Sequence, residues 1–173
     1  MQTPNNLFFL LLIFLAGCSY MPERISLAYV PLQHSLKMDP PSDTRVSVYV
    51  VDNRRNGKTV SYKKGDHNVE RASIQLSCNL SEEITDAVTL ELHNRGFNTE
   101  KGSTQIHIEI QKFYNEFKEA FLGSRGVSEL ILSVTVAKSS DNIYYSKMII
   151  GIGENDSVWI HSGNNAARAL NRA

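Results

Sequence analysis

All five prolines of the chain, Pro4, Pro22, Pro31, Pro40 and Pro41, precede residue 42, and from Ser42 to Ala173 there is none. Proline cannot donate to a sheet ladder and breaks helix interiors, so a long proline-free stretch is open to uninterrupted strands and helices. The boundary sets a folded domain at residues 42–173 apart from an extended tether at 18–41. As a coil, Ser19–Pro41 would span roughly 25–30 Å, and as polyproline II up to ~70 Å, enough to hold a domain clear of a surface. Tyr20, Ile25, Leu27, Tyr29, Val30 and Leu32 give this tether apolar points by which part of it can pack on the domain.

Upstream of the tether, Leu7–Ala16 is an unbroken apolar run. Ten helical residues rise only ~15 Å, about half of a ~30 Å hydrocarbon core, so the run is too short to span a bilayer. It has the length of a signal-peptide core and is followed at once by small residues. Leu15-Ala16-Gly17-Cys18 looks like a lipobox: Leu15, Ala16 and Gly17 suit an extended chain in a signal-peptidase cleft, and the Cys18 thiol would take a diacylglyceryl group. Residues 1–17 are therefore expected to be a lipoprotein signal peptide, and Cys18 the site of a covalent lipid that attaches the protein to a membrane.

Removing residues 1–17 leaves 156 residues, enough to bury roughly 68–70% of the unfolded surface in one core. The 18 basic and 18 acidic residues all lie beyond residue 17, so the mature chain is neutral. Nucleic-acid binders usually carry a basic excess, and none is present here. With Cys18 lipidated, Cys78 has no cysteine in its own chain to pair with, and it is expected to be a buried thiol.

Hydrophobic periodicity places the elements. Arg45–Asp52 alternates through Val46, Val48 and Val50 as a first strand, and Asn56-Gly57 signals a hairpin with a short return at Thr59–Tyr62. Asn79–Arg95 is the clearest helix. Asn79 can cap it and Glu82 sits three residues later as in a capping box; Leu80, Ile84, Ala87, Val88 and Leu92 make its stripe, and Gly96 stops it. Gln105–Lys112, Glu129–Lys138 and Ile143–Ile152 alternate as three more strands, and a last helix opens after Ser162–Asn165. The expectation is a single α+β domain of order β-α-β-β-β-α. Its sheet would have about four strands, mixed and mostly antiparallel, packed against two helices. The helical crossover should leave the first strand parallel to a neighbour.

No catalytic constellation emerges, and an enzyme is not expected. Gly123-Ser124-Arg125-Gly126 resembles a nucleophile elbow only superficially, and Gly151-Ile152-Gly153 suits a bulge or turn better than a nucleotide loop. His34, His67, His93, His107 and His161 lack metal-ligand spacing; His107 and Glu109 share one strand face, but two groups do not make a site. No metal or cofactor is implied beyond the lipid on Cys18. Arg54, Arg55, Lys58, Lys63 and Lys64 cluster without an acid, as a patch for anionic lipid or as a solvated loop. Phe113, Phe117 and Phe121 recur every four residues at a strand end running into a turn, and serve either as core or as an interaction surface.

Together, the lipobox Leu15-Ala16-Gly17-Cys18, the strand Val46–Asp52, the helix end Arg95-Gly96-Phe97, the step Asp52-Asn53-Arg54 and the segment Ser162–Ala167 resemble the YajG-type lipoproteins of Gram-negative bacteria. The family's final helix runs on, whereas this one stops at Ala173. The resemblance implies several acyl chains on Cys18 and a place at the outer membrane, most simply its periplasmic face; Ser19, not aspartate, after the cysteine agrees. At ~0.8 kcal/mol per buried methylene, several chains anchor firmly where one binds marginally. The expected function is a non-enzymatic envelope module that binds another envelope protein through an apolar patch or a sheet edge. The alternative is a module holding a lipid or glycolipid in an apolar pocket between sheet and helices.

Overall fold

The computed structural model describes residues 21–31, 37–38, 40, 44–119, 123–139 and 142–173. The elements are β1 (Glu23–Ile25), β2 (Val46–Asp52), β3 (Thr59–Lys64), β4 (Glu70–Leu76), α1 (Leu80–Asn94), β5 (Thr104–Glu119), β6 (Ser124–Ser139), β7 (Asn142–Val158) and α2 (Gly163–Leu170). The fold is α+β, as expected, but it has seven strands in two mixed sheets where one sheet of about four was anticipated. One sheet has the order β1-β4-β3, the other β2-β5-β6-β7.

The larger sheet follows the sequence pattern. The α1 crossover makes β2 parallel to β5, with Val48 opposite Ile106 and Val50 opposite Ile108, and the remaining ladders are antiparallel. The helix is capped as its residues dictate: the Asn79 carboxamide oxygen accepts from the Ser81 amide at 3.1 Å, and its Nδ2 donates to Glu82. At the other end Gly96, at φ +94°, lets its own amide reach the His93 carbonyl and that of Phe97 the Leu92 carbonyl, a Schellman closure.

The smaller sheet is where the structure departs from the expectation. Thr59–Lys64 does turn back after Gly57, but it pairs with β4 and not with β2. β4 itself buries Ala72, Ile74 and Leu76 on one face. The tether also contributes: Glu23–Ile25 runs parallel to β4, with Ile25 buried beside Leu76, and Ser77 donates to the Ile25 carbonyl from both amide and hydroxyl. Burial of one isoleucine, together with backbone pairing, is the physical reason this segment is not simply a spacer. Further on, the Met38 amide donates to the Arg95 carbonyl at the end of α1.

The core lies between the small sheet, one end of the large sheet and α2. Ile25, Val60, Ile74, Leu76, Leu80, Ile110, Phe113, Phe117, Val158, Ala166 and Leu170 form it. Cys78 packs against it, half-buried as a free thiol. β5 enters this core through a bulge. Ile106, Ile108 and Ile110 alternate on one face, the register slips between Ile110 and Lys112, and Phe113, Asn115 and Phe117 then take over the buried phase. Asn115, wholly buried, donates to Ser61 at 3.0 Å and accepts from Ser128 at 3.1 Å, tying the two sheets together.

Helix α2 lies against glycines of the large sheet. A Cβ on Gly153 would stand 2.0 Å from the Ala169 carbonyl oxygen, and one on Gly151 would stand 1.9 Å from the Ala173 carbonyl oxygen. Gly151-Ile152-Gly153 is therefore neither a bulge nor a turn. It is regular β7 ladder opposite Ser128–Leu130, with side chains omitted so that a helix can approach.

Candidate interaction surface and apolar groove

Along β7 the large sheet is covered at one end only, whereas Val46 on β2, Ile108 on β5 and Ala137 on β6 are buried at the other end as well. Beyond Gly151, β7 leaves α2 behind, and every residue from Asn142 to Ile150 is exposed. The strand pairs with β6 along one edge, and no described strand occupies the other. Because Gly153 faces Ala169 of α2 and Gly151 faces Ala173 just after the helix, Tyr145 and Ile149 lie on the helix side, while Met148, Ile150 and Ile152 lie on the opposite side. Met148 is 59% exposed, Ile150 56% and Ile152 63%. Such a strand, apolar on both faces, has the composition of one buried on both sides. Natural edge strands are usually short, charged or twisted away; this one is 17 residues long, and Lys147 is the one charge between Asn142 and Ile152.

A second feature opens between the helices and the sheet. The α1 stripe, Ile84, Ala87 and Val88, stands over Phe113, Leu130 and Leu132 without closing on them, leaving an apolar groove of about 540 Å³. Leu27–Val30 and the end of α2 bound it. Tyr29 holds its side of the groove by donating its hydroxyl to Glu91 on α1. Partial burial, with that hydrogen bond and the nearby Glu91 charge, pushes the Tyr29 phenol up to about 12.

The residues singled out by sequence fall as follows. Phe113 and Phe117 are core: Phe117 is 1% exposed, and neither forms an external surface, although Phe113 floors part of the groove. Their odd-numbered phase after the β5 bulge turns them inward. Phe121, His34, and Leu15-Ala16-Gly17-Cys18 lie outside the described residues. The basic cluster is largely engaged. Arg54 grips both Asp52 carboxylate oxygens and the Phe113 carbonyl; Lys63 pairs with Glu23 at 2.5 Å; Lys64 donates to the Phe117 carbonyl. Arg55 and Lys58 are exposed. Burial raises the Asp52 carboxyl, but its bonds with Arg54 outweigh that and hold it below the ordinary value of 3.8. His107 stacks on Tyr49 with ring centres 5.2 Å apart and bonds to Gln105, not to Glu109. Among the described residues, no three His, Cys, Asp or Glu side chains converge as a metal would require.

One pairing was not foreseen. His161 stacks on Phe117, its Nδ1 lies 3.2 Å from the Lys64 carbonyl oxygen, and its Nε2 lies 2.8 Å from Ser124 Oγ. A carbonyl only accepts, so Nδ1 carries the proton and, in the neutral ring, Nε2 accepts from the serine. The contact has the spacing of a nucleophile and its base. However, the ring is oriented by a backbone carbonyl and stacks on a core phenylalanine, and neither residue lines the groove. The pair clamps the β6 start to β3. Nothing in the spacing of Ser124 and His161 signals it, because β3 must first be placed.

Glu23 is the other junction. It accepts from Lys63 and from the Gly163 amide at the start of α2. Desolvation pushes its carboxyl up, but the hydrogen bonds from Lys63 and Gly163 and the Lys63 charge together hold it below the ordinary 4.5. No helix among the described residues is long and apolar enough to cross a membrane.

By class, this is a small α+β domain of two mixed sheets, with a strand supplied by its N-terminal lead-in. The chain belongs to the YajG-type family of lipoproteins: the family model described as "uncharacterized lipoprotein" matches residues 37–173. Among solved structures, a DUF330-family protein from Xanthomonas campestris superposes with a TM-score of 0.59 at 11% identity, covering 87% of this chain and 85% of that one. An uncharacterized protein superposes with a TM-score of 0.51, also at 11% identity, covering 86% and 90%. At such identity the likeness is one of fold. None of these descriptions is enzymatic. No curated protein matches the sequence.

Proposed function

We propose that this lipoprotein is anchored through Cys18 at the periplasmic face of the outer membrane and binds another envelope protein, without catalysing a reaction. The observation that carries the reading is the β7 edge: a long strand with no described strand along one side, and with Met148, Ile149, Ile150 and Ile152 exposed beside it. An incoming strand would satisfy the open backbone groups, and its alternate side chains would cover the exposed isoleucines. The test is photo-crosslinking in intact cells from a probe at Met148. A recurrent protein partner, lost when Ile150→Pro removes an amide from the strand, supports the reading. Crosslinks indistinguishable from those of a probe at Lys101 would sink it.

The groove favours a second reading, a site for an acyl chain or another slender apolar ligand. Its volume falls within the range of small-molecule sites, and its walls are mostly aliphatic. Native mass spectrometry of the mature chain, expressed from Ser19 so that it carries no lipid of its own, separates the two. A stoichiometric lipid that disappears in Val88→Arg would place ligand binding first.

A further inference from the structure

We infer that the loop between β7 and α2 is a foot that enters the membrane interface, with Trp159 and Ile160 as its contacts and a phospholipid surface as its occupant. The inference rests on the lipidated Cys18 of the preceding reading and adds to it the orientation in which the domain stands.

Trp159 is 74% exposed, Ile160 71% and Met21 64%. These residues lie at one end of the molecule. β7 ends at Val158 opposite Ser124, and the loop then returns through His161, tied to Ser124 and Lys64, to Gly163, whose amide donates to Glu23. A Cβ on Gly163 would collide with Glu23 and Ile25, so the loop end and β1 are in direct contact. Met21 precedes Glu23 by two residues, and Cys18 precedes it by five. Five residues of extended chain reach at most ~18 Å. A lipid on Cys18 therefore brings a bilayer to this end of the domain and keeps it within that distance of Glu23.

The chemistry of the loop fits that surface. Tryptophan and isoleucine side by side, both largely in solvent, are costly to leave in water, and indole is favoured at the headgroup level, where its ring is buried and its N–H stays wet. The exposed β7 residues Asn142–Ile150 belong to the far end of the β6–β7 hairpin, across from Ser124 and Val158. A foot at the Trp159 end would thus turn the open β7 edge away from the lipid.

Trp159 is the only tryptophan of the chain and reports on its own surroundings. The experiment uses full-length protein purified from membranes and reconstituted into vesicles of phosphatidylethanolamine and phosphatidylglycerol, with brominated lipid as quencher, and the intact mass recorded first. The expected result is a blue-shifted Trp159 emission, quenched by brominated lipid and shielded from iodide. Ile160→Asp, which keeps the reporter, should lose most of that quenching while the protein stays on the vesicles. Unlipidated mature chain should partition weakly into the same vesicles, and Ile160→Asp should weaken this by roughly tenfold. Lipidated protein whose Trp159 stays as accessible to iodide as in the unlipidated chain free in solution would overturn the foot and leave the anchor standing. A full-length product whose mass shows no lipid on Cys18 would overturn both.

Discussion

The two halves of the β5–β6–β7 sheet are both built of strand-forming residues and meet different fates. Near Phe113, Asn115 and Phe117 the sheet is roofed by β1, β3, β4 and α2, and its polar residues are satisfied within the protein. Near Met148, Ile149 and Ile150 equally apolar residues stand in water. Both halves are built of strand-forming residues, although the roofed half of β5 alternates and the open half of β7 is apolar on both faces. The difference lies in what the rest of the chain brings to cover them: the small sheet and α2 reach one half, and α1 leans only over β2 and the groove. Apolar residues that the described residues leave uncovered are where an outside surface has something to gain.

Substitutions should separate the halves sharply. Phe117→Ala opens a cavity in the roofed half and should cost about 3–5 kcal/mol, read as a fall in the urea midpoint. Gly153→Ala drives a methyl into the Ala169 carbonyl and should cost roughly 1–3 kcal/mol, with the α2 amides exchanging faster while the β5–β6 amides hold. Asn115→Ala leaves Ser61 and Ser128 without their buried partner and should cost about 1–3 kcal/mol, with no effect on partner crosslinking. By contrast, Ile150→Ser in the open half should change stability by no more than about 0.5 kcal/mol while reducing crosslinking from Met148. A large stability loss there would mean that the open half is covered after all.

The sharpest test of the roof's edge is pH. The Glu23 carboxyl is held below its ordinary 4.5, so its contribution is fully present above that value and is lost as pH falls through the lower folded value. Amide exchange at Ser77, which donates to Ile25, should accelerate over that acid range in the native chain. In Glu23→Gln the same step should be absent. Since Glu23 is partly solvated, this is the smallest of the expected effects.

How far sequence reading reaches follows the same division. The α1 limits, its cap and its glycine stop were legible because each is set within a few residues. The parallel pairing of β2 with β5 followed from the crossover. β4 was not foreseen, although its seven residues alternate through Ala72, Ile74 and Leu76 much as those of β2 do; its place is fixed by β1 and β3, which lie on either side of it. β5 runs past Lys112 because a bulge resets its phase, which strict alternation cannot follow. For the candidate site, alternation correctly aligned Met148, Ile150 and Ile152, but it could not say that their face lacks a cover. Likewise Phe113 and Phe117 fitted a surface as well as a core until β3 and α2 were placed over them.

The first strand of the protein also has a mechanical meaning. β1 is three residues long, runs parallel to β4, and begins two residues after Met21. A pull from the proposed anchor would be delivered along the axis of β1, loading its ladder to β4 in shear, with the Glu23 contacts to Lys63 and Gly163 sharing the strain. Were the partner proposed for the β7 edge to move relative to the membrane, this short strand would be the fuse: it would slip first, lengthening the leash while the core behind Ile74 and Phe117 stays folded.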